Sequence, residues 1–261
     1  RIGHLYPTYN GETVIAWLWA RTVKSPNPAV NAHVPLVSSF ILSKKKGREK
    51  WAKPVIEGQT IRFEVTDGKP PAGQDGTVIR RTGARCLISG EPIPFDYIRA
   101  EGKAGRMGAM LMAVVTEGKS GRSYYSPTAE HVQVAESAEP EWKPMGDIPE
   151  QALGFSVQLY GMDEYNKLFT PRQLVALTTF SDLVGEAREQ ALQDALAAGL
   201  ADDDVPLRDG GTGARAYAEA VSVYLAFAVD KSTDYWSGSC SWINSRETMR
   251  NTFGRQAIPM V

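Results

Sequence analysis

The sequence predicts an α+β protein in which a β-rich N-terminal half precedes a helical C-terminal half. Three observations carry this reading. Short apolar, β-branched and aromatic runs, punctuated by Gly and Pro, fill residues 12–125. Beyond residue 154 the apolar period lengthens to that of helices. The charge also divides. Residues 1–135 hold 19 Lys+Arg against 11 Asp+Glu, although the whole chain of 261 residues nets −1, so the second half is acidic.

The elements follow in order. Residues 12–23, ETVIAWLWARTV, predict a buried strand, and 34–42, VPLVSSFIL, a second. SKKKGREK (43–50) is a polar turn around Gly47, followed by the strands of WAKPVIEG and TIRFEV. KPPAGQDG (69–76) is a loop by its Pro and Gly content. CLISGEPIPFDYIRAEG gives a turn and a short strand, and GAMLMAVVTEG with GRSYYSP gives a hairpin around 118–121. SPTAEHVQVAESA predicts a short helix with Ser126 as its cap and Pro127 in first position.

The Pro- and Glu-rich stretch 138–154 reads as a linker between a β-rich basic domain (1–137) and a helical domain (155–261). A long helix then starts at Thr170, with Pro171 in first position and Gln173 completing a capping box. Leu174, Leu177, Phe180, Leu183, Val184, Ala187, Ala191 and Leu196 share one face of it. ADDDVPLRDGGTG is an acidic loop. ARAYAEAVSVYLAFAVDK is a second, more apolar helix, expected to be the more buried. Asn244 and Glu247 offer a capping box for a third helix over SRETMRNTFGRQ.

Composition narrows the function classes. At 43% hydrophobic and 23% charged, the chain is an ordinary globular sequence with ample length for a core. Two cysteines exclude a disulfide framework and make a reducing cytoplasm the expectation. No apolar run of about 18 residues is present, so no membrane partner is expected. There is no signal peptide, and both ends read as cuts through a longer protein.

Two turns invite a metal reading. SPNPAV places Ser25 and Val30, and CLIS places Cys86 and Ser89, where paired zinc knuckles would carry thiolates. A structural zinc needs four soft or imidazole ligands. Only Cys86 qualifies, so the expectation is no metal and a degenerate ribbon-like element held by packing, with Val30 filling the space. Lys44, Lys45, Lys46, Arg48 and Lys50 form a basic turn that could lie along a phosphate backbone, the commoner role of such a charge run being solubility. Arg80, Arg81 and Arg85 form a second cluster with the same two readings. Arg246 and Arg250 lie one helical turn apart if the third helix forms, where they would contact phosphate or pair with the acidic loop. GGTG (210–213) lacks the spacing and the Lys of a phosphate loop. No catalytic constellation stands out, and Cys240 has no partner nearby in sequence.

Five phrases carry a family resemblance: TVIAWLWARTVKSPNPA, PLVSSFILSKKKGREKW, AGRMGAMLMAVVTEGKSGR, LFTPRQLVALTTFSDLV and SRETMRNTFGRQAIPMV. Together, over nearly the whole chain, they resemble the central part of the large prokaryotic adenine-specific DNA methylases described as containing a zinc ribbon, often found beside phage-defence genes. Many members have cysteines where this chain has Ser25, Val30 and Ser89. The resemblance implies methyl transfer from S-adenosylmethionine to the adenine amino group of a flipped base. That chemistry uses a Gly-rich cofactor turn and a [D/N/S]-P-P-[Y/F/W] turn. Neither is here, and KPPAG lacks both the polar residue and the aromatic. The resemblance therefore implies the piece between those turns, inactive alone. It implies double-stranded DNA as partner for the basic half and the rest of the parent methyltransferase as partner for the helical half. The alternative is a non-catalytic interaction module that docks defence-system proteins.

Overall fold

The computed structural model describes residues 1–79, 81–118, 121–150, 156–254 and 258. The chain is mixed α/β, β-rich first and helical after. Strand β1 (Val14–Lys24) is central to an antiparallel four-stranded sheet with β2 (His33–Leu36), β9 (Gly108–Gly118) and β10 (Gly121–Tyr125), in the order β10-β9-β1-β2. Strands β3 (Ile41–Ser43), β4 (Lys50–Glu57) and β5 (Thr60–Asp67) form a second sheet. A third comprises β6 (Val78–Ile79), β7 (Gly83–Arg85) and β8 (Pro92–Pro94). Two apolar clusters hold these layers. One gathers Val23, Val34, Leu36, Cys86, Ile93 and Ile98 with Ile148, Val157, Tyr160 and Leu168 from beyond residue 138. The other gathers Leu18, Ala20, Phe40, Leu42, Trp51, Phe63 and Met112.

The expected strand 34–42 is two strands. At Val37 the backbone leaves the first sheet, and its N–H and carbonyl pair with Thr77 instead. Phe40 N–H then bonds the Asp75 carbonyl at 2.7 Å. Ser38 and Ser39 mark the switch, but the apolar residues on either side of them read as one strand.

Helix α1 (Phe95–Lys103) is absent from the sequence expectation, since nine residues after a Pro-rich strand are too short to show a helical period. It packs closely on 157–160: a Cβ at Gly102 would sit 2.6 Å from the Tyr160 carbonyl oxygen. Helix α2 (Ala129–Glu136) is capped by Thr128, whose hydroxyl accepts from His131 N–H. Ser126, the expected cap, instead accepts from Val65 N–H at 2.9 Å. Among the described residues of 138–150 there is no helix or strand. Asp147 bridges to Glu164, and Ile148 is buried.

Helix α3 (Pro171–Ala197) has the expected capping box between Thr170 and Gln173. Helix α4 (Ala214–Thr233) packs along it, and Arg215 pairs with Asp204 of the acidic loop at 2.9 Å. The expectation that α4 is the more buried fails. Only Ala214, Ala216 and Ala218 are sealed, while Tyr224 is 76% and Phe227 64% exposed. Its two apolar faces misled the burial reading: α3 covers one of them.

The third expected helix is a β-hairpin, β11 (Ser241–Ile243) with β12 (Thr248–Arg250). Trp242 pairs across to Met249, and both pack on the second cluster. Glu247 caps no helix. It sits in the turn at φ +55° with its side chain buried. No helix among the described residues is long and apolar enough to cross a membrane.

Candidate functional site

The two knuckle-like turns converge. Ser25 Oγ donates to Cys86 Sγ at 3.8 Å, and Ser89 N–H donates to the same sulfur at 3.4 Å. Asn27 N–H bonds Ser25 Oγ, and Asn27 Nδ2 reaches across to Glu91 at 2.6 Å. Val30 and Cys86 are both buried in one cluster. Burial pushes the Cys86 thiol up, but hydrogen bonds from Ser89, Ile88 and Ser25 outweigh it and leave the pKa lowered. One thiol, two hydroxyls and an isopropyl group do not fit zinc. Among the described residues no group of three or more His, Cys, Asp or Glu could hold a metal ion.

The basic turn is partly spoken for. Lys44 and Lys46 are exposed, with Lys44 N–H bonded to the Asn244 carbonyl at 3.0 Å. The Lys45 ammonium pairs with the Glu247 carboxylate, and Arg48 lies 3.8 Å from it. Tyr124 hydroxyl donates to Glu247 at 3.2 Å. Burial pushes the Glu247 carboxyl up, but hydrogen bonds from Lys45 and Ser43 outweigh it, so its pKa is lowered. Tyr124 is raised by burial and then by Glu247. Arg246, exposed in the β11–β12 turn, and Arg250 on β12 belong to the hairpin that docks on this basic turn, not to a helix. Arg81 stands exposed at φ +76° between β6 and β7, on a different sheet. Arg80 lies outside the described residues.

A further site gave no motif. Alternation along β1 buries Ala16, Leu18 and Ala20 on one face and leaves Trp17, Trp19 and Arg21 on the other. That second face is roofed by the first turn of α3 and by residues 237–242. Two adjoining hollows of about 390 and 470 Å³ lie beneath, sharing Trp17, Trp19, Thr170, Arg172 and Gln173 in their walls. Arg172 is only 7% exposed. Its guanidinium lies 4.2 Å from the Trp17 ring centroid and 5.3 Å from that of Tyr6, and it donates to the Leu5 carbonyl at 3.3 Å. Arg21 donates to the Gly238 carbonyl at 2.8 Å, and burial pushes it down to about 10. Burial also lowers Arg172, against an opposing pull from Tyr6. The sequence signal was the W-x-W-x-R alternation, which apolarity alone reduced to "strand". A larger hollow of about 640 Å³ beside β5 offers only a paired charge, since Arg62 is held by Glu57 and Glu64.

No protein-family model, curated protein or solved structure matches the chain.

Proposed function

We propose that this chain is the target-recognition and scaffold segment of an S-adenosylmethionine-dependent, adenine-specific DNA methyltransferase, inactive by itself. The observation that carries the reading is the meeting of Ser25, Val30, Cys86 and Ser89, four positions from two turns about sixty residues apart in sequence, around one buried sulfur. We read them as a degenerate zinc ribbon in which Val30 packing replaces the metal. S-adenosylmethionine and the catalytic Pro-Pro turn belong to the rest of the parent protein on this reading, and none of the residues here is assigned to hold the cofactor.

DNA contact falls to Lys44 and Lys46, which keep their charge exposed, and to Arg81 and Arg246. Lys45 contributes to docking the β11–β12 hairpin instead. The test is anisotropy of a labelled duplex against salt concentration. Affinity should fall as salt rises, and a Lys44→Ala/Lys46→Ala double variant should flatten the slope by about one counterion per lysine removed. Salt-insensitive binding, or none, sinks the reading.

A second reading is a non-catalytic interaction module of a phage-defence complex. It is favoured by the open aromatic face of α4, with Tyr217, Tyr224 and Phe227 at 51%, 76% and 64% exposure. Under it, Tyr224→Ser/Phe227→Ser abolishes partner retention while the lysine double variant leaves it intact.

A further inference from the structure

We propose that the cavity between β1, the start of α3 and the 237–242 segment is a binding site for a nucleotide-sized anion, a phosphate group joined to a planar ring. The proposal stands apart from DNA recognition by the basic turn.

Charge comes first. A guanidinium carries five N–H donors and cannot shed its proton at neutral pH. Arg21 and Arg172 both line the cavity, and among the described residues each gives one side-chain hydrogen bond, to a main-chain carbonyl. Neither has a carboxylate within ion-pair distance among the described residues. Of the residues lining the two hollows only Glu136 is acidic, and it is exposed. Two positive charges, Arg172 buried and Arg21 half-buried, without a counter-charge among the described residues are costly. The first turn of α3, at Thr170 to Gln173, lines the same wall, with its Thr170 and Gln173 N–H groups held by the capping box and Pro171 offering none. An entering phosphate would supply the missing counter-charge, and each guanidinium keeps further N–H donors for it.

Shape supplies the second half. Trp19 shares its face of β1 with Trp17, whose ring already carries the Arg172 guanidinium at 4.2 Å, and Trp242 lines the same hollow, so Trp19 and Trp242 are the walls left for a planar ring. Tryptophan faces stack planar rings without regard to ring identity. The two volumes lie within the range of small-molecule sites, roughly 300–1,000 Å³. Hydrophobic walls with a few convergent charges are what an anionic ring compound requires.

The experiment is calorimetric titration of the full chain, with tryptophan fluorescence alongside. The probes are adenosine monophosphate, adenosine, inorganic phosphate and a short single-stranded oligonucleotide. Saturable binding of the monophosphate is expected, at least tenfold tighter than adenosine or phosphate alone. Arg21→Gln should weaken it tenfold or more and Trp19→Leu several-fold, whereas Lys44→Ala/Lys46→Ala should leave it unchanged. An Arg21-dependent response to the oligonucleotide but not to the monophosphate would assign the same chemistry to a strand end. No saturable binding of any phosphate-bearing probe overturns the proposal. So does equal affinity for phosphate and monophosphate, or affinity untouched by Arg21→Gln in a folded variant. Should that variant fail to fold, the wild-type probe series and Trp19→Leu decide alone. Loss of duplex binding in the lysine variant without loss of monophosphate binding separates this site from the DNA interface.

Discussion

Leu36 and Phe227 are both large apolar side chains, yet Leu36 is fully sealed and Phe227 stands 64% open. The first belongs to the β body, where three sheets share two apolar clusters and alternate residues have somewhere to go. The second belongs to the α3–α4 pair, where α4 packs on α3 and on the 204–209 segment and leaves its Tyr224 and Phe227 face open. The contrast teaches that apolarity reports burial only when the number of packing partners is known. In the sheets the partners come from within the chain. Among the described residues, little covers the Tyr224 and Phe227 face of α4.

Four measurements would break or sharpen that contrast. Leu36→Ala should cost about 2–5 kcal/mol in chemical denaturation, the range for a cavity in a sealed core; a cost under about 1 kcal/mol would mean the β body is loosely packed. Glu247→Gln tests the joint between the basic turn and the late hairpin. It removes the charge that Lys45 faces while keeping an acceptor for Tyr124, and should cost about 1–2 kcal/mol. An unchanged midpoint would show that the joint carries no stability.

The third measurement is stability against pH. Burial lowers the pKa of His131, with an opposing pull from Glu130 and a further lowering by Arg172, and its Nδ1 accepts a hydrogen bond from Trp17 Nε1 at 2.8 Å. A folded-state pKa below the unfolded value means that the unfolded chain takes the proton first as pH falls. The contribution is therefore complete above the unfolded value of about 6.5 and is lost as pH drops from there through the folded value. His131→Gln should flatten that part of the curve; an identical slope in the variant would place the titration elsewhere. The smallest effect is expected on the helices. Tyr224→Ser/Phe227→Ser should change stability by no more than about 0.5 kcal/mol per site and should lower binding of a hydrophobic dye. A large loss would show that the face is covered after all.

Much of the body was legible in the sequence because local rules decide it. Alternation fixes β1, Gly58 and Gly47 take the positive φ their turns require, and Thr170 with Gln173 caps α3 as their spacing dictates. What stayed hidden depended on distant partners. The 244–250 segment carries a plausible helix start, but Trp242 and Met249 find the second core cluster only as a hairpin, and Glu247 finds Lys45 only in the turn. The switch at Val37 likewise depends on Thr77. The turns that bring Ser25 and Ser89 to Cys86 stood out in the sequence, whereas the cavity did not. Arg21 and Arg172 are 151 positions apart, and nothing local in the sequence joins them.

The β11–β12 hairpin has one more consequence, in time. Trp242 Nε1 donates to the Leu42 carbonyl across 200 residues, and Lys44 N–H bonds the Asn244 carbonyl. On the ribosome, at roughly 5–20 residues per second, Leu42 therefore waits about 10–40 s for its partner. Through that interval the β3 edge is an unpaired template open to other strands. Lys44, Lys45 and Lys46 follow that edge directly and are exposed, and lysines at such a place disfavour pairing with other strands.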